Sequence, residues 1–315
     1  MQAVTIVDTA LVWDSRPDPE PAPGELLVAV HGAGINGADL MQRQGFYPAP
    51  PGWPPDIPGM EFAGEVVGTG SSVTRFKVGD RVMTIVGGGA QAELLTVPEA
   101  FVLPVPDSIS WEEAGGFPEV FFTAYDALFT QAGLTAGERV LISGCAGGVG
   151  TAAVQIAHAA GAQVVGSVRN LDMRDAVRAL GADEVIEPDQ VPERGPYDVS
   201  LELVGAPGVT AALGAMATGG RIVVIGVGGG GGSLELNLLA IMQKRVRLTG
   251  STLRGRTVEE KAEVARAVEA DVLPGLASGQ IKVPLAATYP MADATDGYER
   301  FAAGGKLGKI VLVNR

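Results

Sequence analysis

Cysteine, histidine and net positive charge are all scarce in this sequence. The single cysteine, Cys145, has no partner for a disulfide within the chain, and with only His31 and His158 beside it there is no Cys- or His-rich set of familiar zinc-ligand spacing. Lysine and arginine number 23 against 36 acidic residues, a formal net charge of −13. That balance repels phosphate backbones and anionic membrane faces, so nucleic acid is not expected as a partner. No uninterrupted apolar run reaches the ~20 residues of a membrane-spanning helix. No early segment joins a basic start to a long apolar run, so nothing supports secretion. The expectation is a cytoplasmic protein without a membrane partner.

Glycine and apolar residues dominate what is present. Hydrophobic residues make up 46% of the 315 and charged residues 19%, and the 45 glycines cluster in short runs between apolar stretches. This composition supplies well-buried cores joined by backbone-defined loops. The length exceeds what one core usually organises, so two domains are expected. Residues 1–117 are rich in proline and glycine, with short strand-like runs at 26–30, 65–67 and 81–86, which predicts an irregular β-rich barrel. From residue 118 the texture changes. Apolar runs at 140–143, 163–167, 198–204, 221–225 and 247–251 alternate with helical periodicity at 149–160, 171–180 and 209–217. That alternation predicts a parallel sheet with helices on both faces, here assigned to residues 118–261. The tail, residues 262–315, opens on an amphipathic stretch at 263–273 and ends on a strand-like run at 309–313. It does not extend a parallel sheet, so it is assigned to the first domain, which the second interrupts.

Between residues 140 and 150 an apolar strand runs into a helix through Gly144, Cys145, Ala146, Gly147, Gly148, Val149 and Gly150. In that setting the glycines let backbone amides approach a pyrophosphate, the helix N-terminus favours its charge, and a small last residue permits close packing of helix on strand. This is the phosphate turn of a dinucleotide-binding Rossmann domain, spaced G-x-x-G-x-x-G; taken alone, a glycine trio is also an ordinary turn. The next strand ends Gly166-Ser167-Val168-Arg169-Asn170. No carboxylate stands there to hold a ribose 2′-hydroxyl, whereas Arg169 suits a 2′-phosphate, which favours NADPH over NADH. The alternative for Arg169 is a solvated loop cation. Cys145 is read as a small loop residue, Asp39 as a helix cap, His158 as a packing or surface residue, and the glycine-rich run 226–232 as either a loop over the cofactor or a surface connection.

The sequence resembles the zeta-crystallin-like quinone oxidoreductase branch of the medium-chain dehydrogenase/reductase superfamily, closest to its p53-inducible subgroup. The resemblance rests on Asn36–Gly45 with Tyr47 and Pro48, Pro58-Gly59-Met60-Glu61, Val78-Gly79-Asp80-Arg81-Val82, Pro118-Glu119, Thr123-Ala124-Tyr125, the glycine loop, Leu180-Gly181-Ala182 and Gly308-Lys309-Ile310-Val311-Leu312. It implies a Rossmann domain inserted into a discontinuous, barrel-like (GroES-like) catalytic domain, a cleft between the two, and a homodimer formed through the Rossmann sheet. Zinc-bearing relatives carry cysteine where this chain has Asn36 and histidine where it has Met60, so the resemblance implies a zinc-independent enzyme. Met173 and Pro188 stand where relatives carry a lysine and a tyrosine on the 2′-phosphate, so the preference for NADPH falls to Arg169, with Arg174 as a helper. The stretch 186–197 is short for the family and implies a missing helix.

The resemblance also supplies site residues. It implies Asn36 and Tyr47 near the nicotinamide, with Tyr47 as hydrogen-bond donor to the acceptor oxygen; without the resemblance Tyr47 is a loop aromatic that shapes a pocket. It places Thr123, Gly226 and Lys309 with the glycine loop and Arg169 among the cofactor contacts. Without a metal, a conjugated acceptor is favoured over a simple ketone, because conjugation spreads the charge that a hydride brings. The expected activity is NADPH-dependent reduction of a quinone or similar conjugated carbonyl. An enone or enoyl reductase or an alcohol dehydrogenase of the same superfamily is the alternative, and a cofactor-binding protein with a structural or regulatory role is the third reading.

Overall fold

The computed structural model describes residues 1–228 and 232–314. Along the chain the strands are β1 (Gln2–Val7), β2 (Ala10–Ser15), β3 (Glu25–Gly34), β4 (Glu61–Thr69), β5 (Arg81–Ile85), β6 (Leu94–Pro98) and β7 (Leu103–Pro104). There follow β8 (Arg139–Ser143), β9 (Gln163–Ser167), β10 (Glu184–Ile186), β11 (Tyr197–Glu202), β12 (Met216–Val224) and β13 (Arg247–Gly250), then β14 (Leu285–Pro290) and β15 (Lys309–Val313). The chain divides into two compact units, residues 1–122 with 253–315, and residues 123–252.

In the second unit six strands form one parallel sheet in the order β10-β9-β8-β11-β12-β13. The central strands β8, β9 and β11 are mostly buried and rich in Val, Ile and Leu, as strands covered on both faces must be, whereas the edge strand β13 is largely exposed. Leu141, Val165, Tyr197, Met216 and Ile222 share one apolar cluster, which also takes in Ala212 and Leu213 of the helix Ala206–Gly214. The order reverses between β8 and β11, where a doubly wound sheet opens a crevice beyond the strand ends. Both segments that line this mouth, the turn after β8 and the turn after β11, belong to the candidate site.

The first unit carries the sheet β14-β15-β3-β4-β5-β7, with β6 paired to β3 and the hairpin β1-β2 beside it. The expected barrel does not close: β14 and β7 end the sheet, and no ladder joins them among the described residues. The terminal strand β7 is two residues long and ends in proline, which has no N–H for a further ladder. The tail enters this sheet through β15, antiparallel to β3 and parallel to β14.

The unit boundaries fall later and earlier than the expected 118 and 262. Residues 118–122 stay with the first unit, where Phe117, Phe121 and Phe122 are fully buried. The chain returns at Leu253, because Arg254 bonds to the carbonyls of Gly87 and Tyr47 and the helix Val258–Asp271 lies on the 3-10 turn Glu99–Phe101. In place of the implied missing helix a 3-10 turn spans Pro188–Glu193. The glycine run 226–232 lies partly outside the described residues, at 229–231.

Candidate functional site

The phosphate turn is built by its two outer glycines. Gly144 follows β8 with φ +61, a conformation side-chain-bearing residues rarely adopt. A Cβ on Gly150 would lie 2.5 Å from Cys145 Cα and 2.6 Å from Gly144 O, so only glycine lets the helix Gly148–Ala159 start this close to the strand. Its first helical hydrogen bond runs from Thr151 N–H to Gly147 O at 2.8 Å. The amides of Gly148, Val149 and Gly150 precede that bond and have no partner within the helix, so they form, with the helix dipole, an anion cradle beside Ala146 and Gly147. Cys145 is buried and its thiol is pushed up to about 12 by desolvation, with Sγ donating to Ser167 O. It fills the turn and is not a nucleophile.

At the tip of β9, Arg169 is exposed and makes no ion pair among the described residues. Arg174 opens the helix Arg174–Ala179 close by, and its buried Nε has no hydrogen-bond partner. Across the switch point, Glu202 ends β11 fully buried. Its Oε1 accepts from Val204 N–H at 2.6 Å and Gly205 N–H at 2.9 Å, and burial raises its pKa. It thereby fixes the turn 203–205, against which Gly226 packs so tightly that a Cβ there would meet Leu203 O at 2.3 Å. Gly226 donates its N–H to Glu202 O. Sequence reasoning passed over Glu202; a carboxylate ending an apolar strand was the available signal.

In the first unit the structure brings Asn36 and Lys309 together around a residue that sequence reasoning quoted without a role. Glu61 is fully buried; its Oε1 accepts from Asn36 Nδ2 at 2.9 Å and from Lys309 Nζ at 2.6 Å, and its Oε2 from Glu119 N–H at 2.9 Å. A Cβ at Gly34 would lie 2.2 Å from Glu61 Oε1, so the glycine makes room for the carboxylate. Lys309 also donates to Asn36 Oδ1 at 2.6 Å and Ile35 O at 3.0 Å. Its three ammonium hydrogens are thus engaged within this unit, and where a cofactor contact was expected the geometry gives it the task of holding Asn36. A zinc ion does not fit these residues. The amide oxygen of Asn36 and the Glu61 carboxylate already surround an ammonium, Met60 offers only a thioether, and no cluster of three His, Cys, Asp or Glu exists among the described residues.

Asp39 sits in the first turn of the helix Gly37–Arg43 and is fully buried. Its Oδ2 accepts from Asn36 N–H at 2.8 Å and its Oδ1 from Gly59 N–H at 3.1 Å, so it caps the helix and ties Asn36 to the Gly59-Met60-Glu61 segment. Desolvation raises its pKa to about 6 against the pull of these bonds and of Lys309 and Arg254. Tyr47 is half-buried, and its hydroxyl makes no hydrogen bond among the described residues. Burial pushes that phenol further up, and Arg254 pulls it back. Thr123 is buried at the start of the second unit, in the helix Pro118–Tyr125.

Residues 22–107 match the alcohol dehydrogenase GroES-like domain family and residues 148–270 the zinc-binding dehydrogenase family. The chain is 31% identical to the quinone oxidoreductase of Mus musculus over 310 residues, covering 94% of this chain and 91% of that one. Among solved structures, an alcohol dehydrogenase superfamily protein from Novosphingobium aromaticivorans superposes with a TM-score of 0.88 at 27% identity, over the whole of both chains. Mycobacterial Rv1454c, solved in complex with NADPH, superposes at 0.87 with 28% identity, again over the whole of both chains. With the parallel Rossmann sheet, the GroES-like unit and the glycine turn all in place, the chain belongs to the medium-chain dehydrogenase/reductase superfamily and is an oxidoreductase related to the mammalian quinone oxidoreductases.

Proposed function

We propose that the protein is an NADPH-dependent, zinc-independent reductase of quinones or similar conjugated carbonyls, acting as a homodimer in the cytoplasm. The observation that carries this reading is the Lys309 ammonium held by Glu61 and Asn36, a donor set that repels a metal ion and leaves the chemistry to acceptors that need no Lewis acid. When bound, the reduced nicotinamide supplies a hydride. The glycine turn and the amides of Gly148–Gly150 hold the pyrophosphate, and Arg169 with Arg174 meets the 2′-phosphate. Glu202 fixes the turn 203–205 at the switch point. Lys309 and Glu61 hold Asn36 in one orientation, so that the amide keeps a fixed face toward the reactants. Tyr47, kept protonated by burial, donates a proton to the acceptor oxygen as charge builds there. A homodimer is supported by the edge strand β13 and by Leu238, Leu239 and Met242, which are 67%, 58% and 72% exposed on the helix Leu238–Lys244.

The test is NADPH oxidation across a quinone panel and an enone panel, before and after exhaustive chelation. Quinone turnover that survives chelation is expected. Loss with chelator and recovery with zinc overturns the metal-free reading; turnover of enones alone moves the assignment to an enone reductase; tight NADPH binding without turnover of either panel favours a non-catalytic role.

A further inference from the structure

Arg254 is 5% exposed, and no carboxylate lies within ion-pair distance of its guanidinium among the described residues. A buried cation without a contacting anion is costly to desolvate, and desolvation lowers the pKa of this one. Its nitrogens reach three separate segments. Nε donates to Gly87 O at 2.8 Å, Nη1 to Tyr47 O at 2.9 Å, and Nη2 to Gln42 Oε1. Its Cζ lies 5.0 Å from the centroid of the Tyr47 ring. Gly87 is a fixed anchor, because the Trp53 indole lies against its α-carbon where a Cβ would be 2.3 Å from Cδ1. The fork therefore clamps Tyr47 to two ordered segments while its cationic face covers the phenol ring, a geometry a lysine does not reproduce.

We propose that Arg254 is the positioning residue for Tyr47, fixing the phenol for proton donation and stabilising the charge left on it. This inference rests on the proton-donor reading of Tyr47. In the step, the hydride from the reduced nicotinamide forms the new bond to the acceptor, which leaves an anionic oxygen on it. The Tyr47 O–H bond breaks, the proton joins that oxygen, and the phenolate is reprotonated from water. The nicotinamide is oxidised and the conjugated carbonyl reduced by two electrons. A cation over the ring favours the phenolate, in keeping with the direction in which Arg254 moves the Tyr47 hydroxyl.

The experiment uses full-length Arg254→Met, Arg254→Lys, Tyr47→Phe and the double variant Tyr47→Phe/Arg254→Met, each checked for folding by circular dichroism. Turnover with an enone is paired with NMR of protein labelled at tyrosine Cζ, in which the five tyrosines give a countable set and Tyr47→Phe identifies the signal of Tyr47. In Arg254→Met, kcat should fall about tenfold with the KM for NADPH unchanged, less than the roughly 10²-fold that a general acid itself contributes because the donor remains, and the Tyr47 signal should titrate at higher pH. Arg254→Lys, which keeps the charge and is the milder change if the methionine variant folds poorly, should lie between wild type and Arg254→Met in both readouts. In the Tyr47→Phe background the methionine should add less than about twofold, because the two residues act as one unit. A Tyr47 titration that does not move, or an undiminished further loss in the double variant, overturns the proposal while leaving Tyr47 as donor. Wild-type turnover in Tyr47→Phe overturns the donor reading itself, and the proposal with it.

Discussion

The proposed preference for NADPH and the charge state of the candidate site rest on single side chains. Arg169 stands exposed at the tip of β9 with no ion-pair partner among the described residues, so its charge is available to a ligand at little reorganisation cost. Arg169→Ala should raise the KM for NADPH about tenfold, the worth of one charge-assisted hydrogen bond, while the KM for NADH stays within about twofold. Steady-state kinetics with both cofactors checks this, and equal effects would remove the assignment. Asp39 gives a pH signature. Its folded pKa of about 6 lies above its ordinary 3.8, so the native state binds the proton more tightly than the unfolded chain. The stabilisation from this group is complete below 3.8 and is lost as pH rises to about 6. Asp39→Asn removes that titration. The stability of wild type relative to the variant should therefore be greater at acid than at neutral pH by up to about 3 kcal/mol, read from urea unfolding at each pH. A difference that does not change with pH would show that Asp39 does not titrate in this window.

At the scale of the element, the strand-to-helix turn after β8 tolerates change unevenly. At Gly150 a methyl group meets backbone atoms at 2.5 Å, whereas at Gly147 the nearest atom would be Gly144 O at 3.4 Å. Gly150→Ala should cost about 1–3 kcal/mol of stability and weaken NADPH binding at least tenfold, with Gly147→Ala far milder on both counts. Thermal unfolding and a fluorescence binding titration measure the contrast; similar behaviour of the two variants would mean that the turn relaxes freely. The strands β8 and β9 and the helix Gly148–Ala159 were legible within a residue or so, because buried parallel strands read as apolar runs and the helix carries its own period. β10, three residues long, and the half-exposed β14 were not, since neither carries enough pattern to stand out. The helix Leu238–Lys244 was also missed: Ile241 packs on the core while Leu238, Leu239 and Met242 are exposed, so its apolar residues do not gather into one core-facing stripe.

For the whole molecule, the proposed homodimer is tested at the edge strand β13 and at the exposed Leu238, Leu239 and Met242. Sedimentation of the wild-type protein should give a dimer, and the pair Leu238→Asp with Met242→Asp, one helical turn apart, should give a folded monomer. A monomeric wild type at micromolar concentration would end the dimer reading. The surrounding charge is favourable for one anionic cofactor only at local cationic spots, because the chain as a whole carries −13.

The sequence by itself determined the class of fold and the glycine turn that follows an apolar strand, because each of these is written in local spacing and residue type along one stretch of chain; that Asn36 and Met60 stand where relatives carry zinc ligands came only through the resemblance to a family. Only the tertiary structure decided the rest of the site. Glu61 and Lys309 are 248 residues apart in the numbering yet share a hydrogen-bonded centre with Asn36, and Arg254 meets Tyr47 and Gln42 across more than 200 residues. No periodicity records such pairings. They arise because β15 returns to lie beside β3, which brings Lys309 to Asn36, and because the chain re-enters the first unit at residue 253, which brings Arg254 to Tyr47. What a buried charge does is set by the partner it finds there, and the partner is a property of the packed chain.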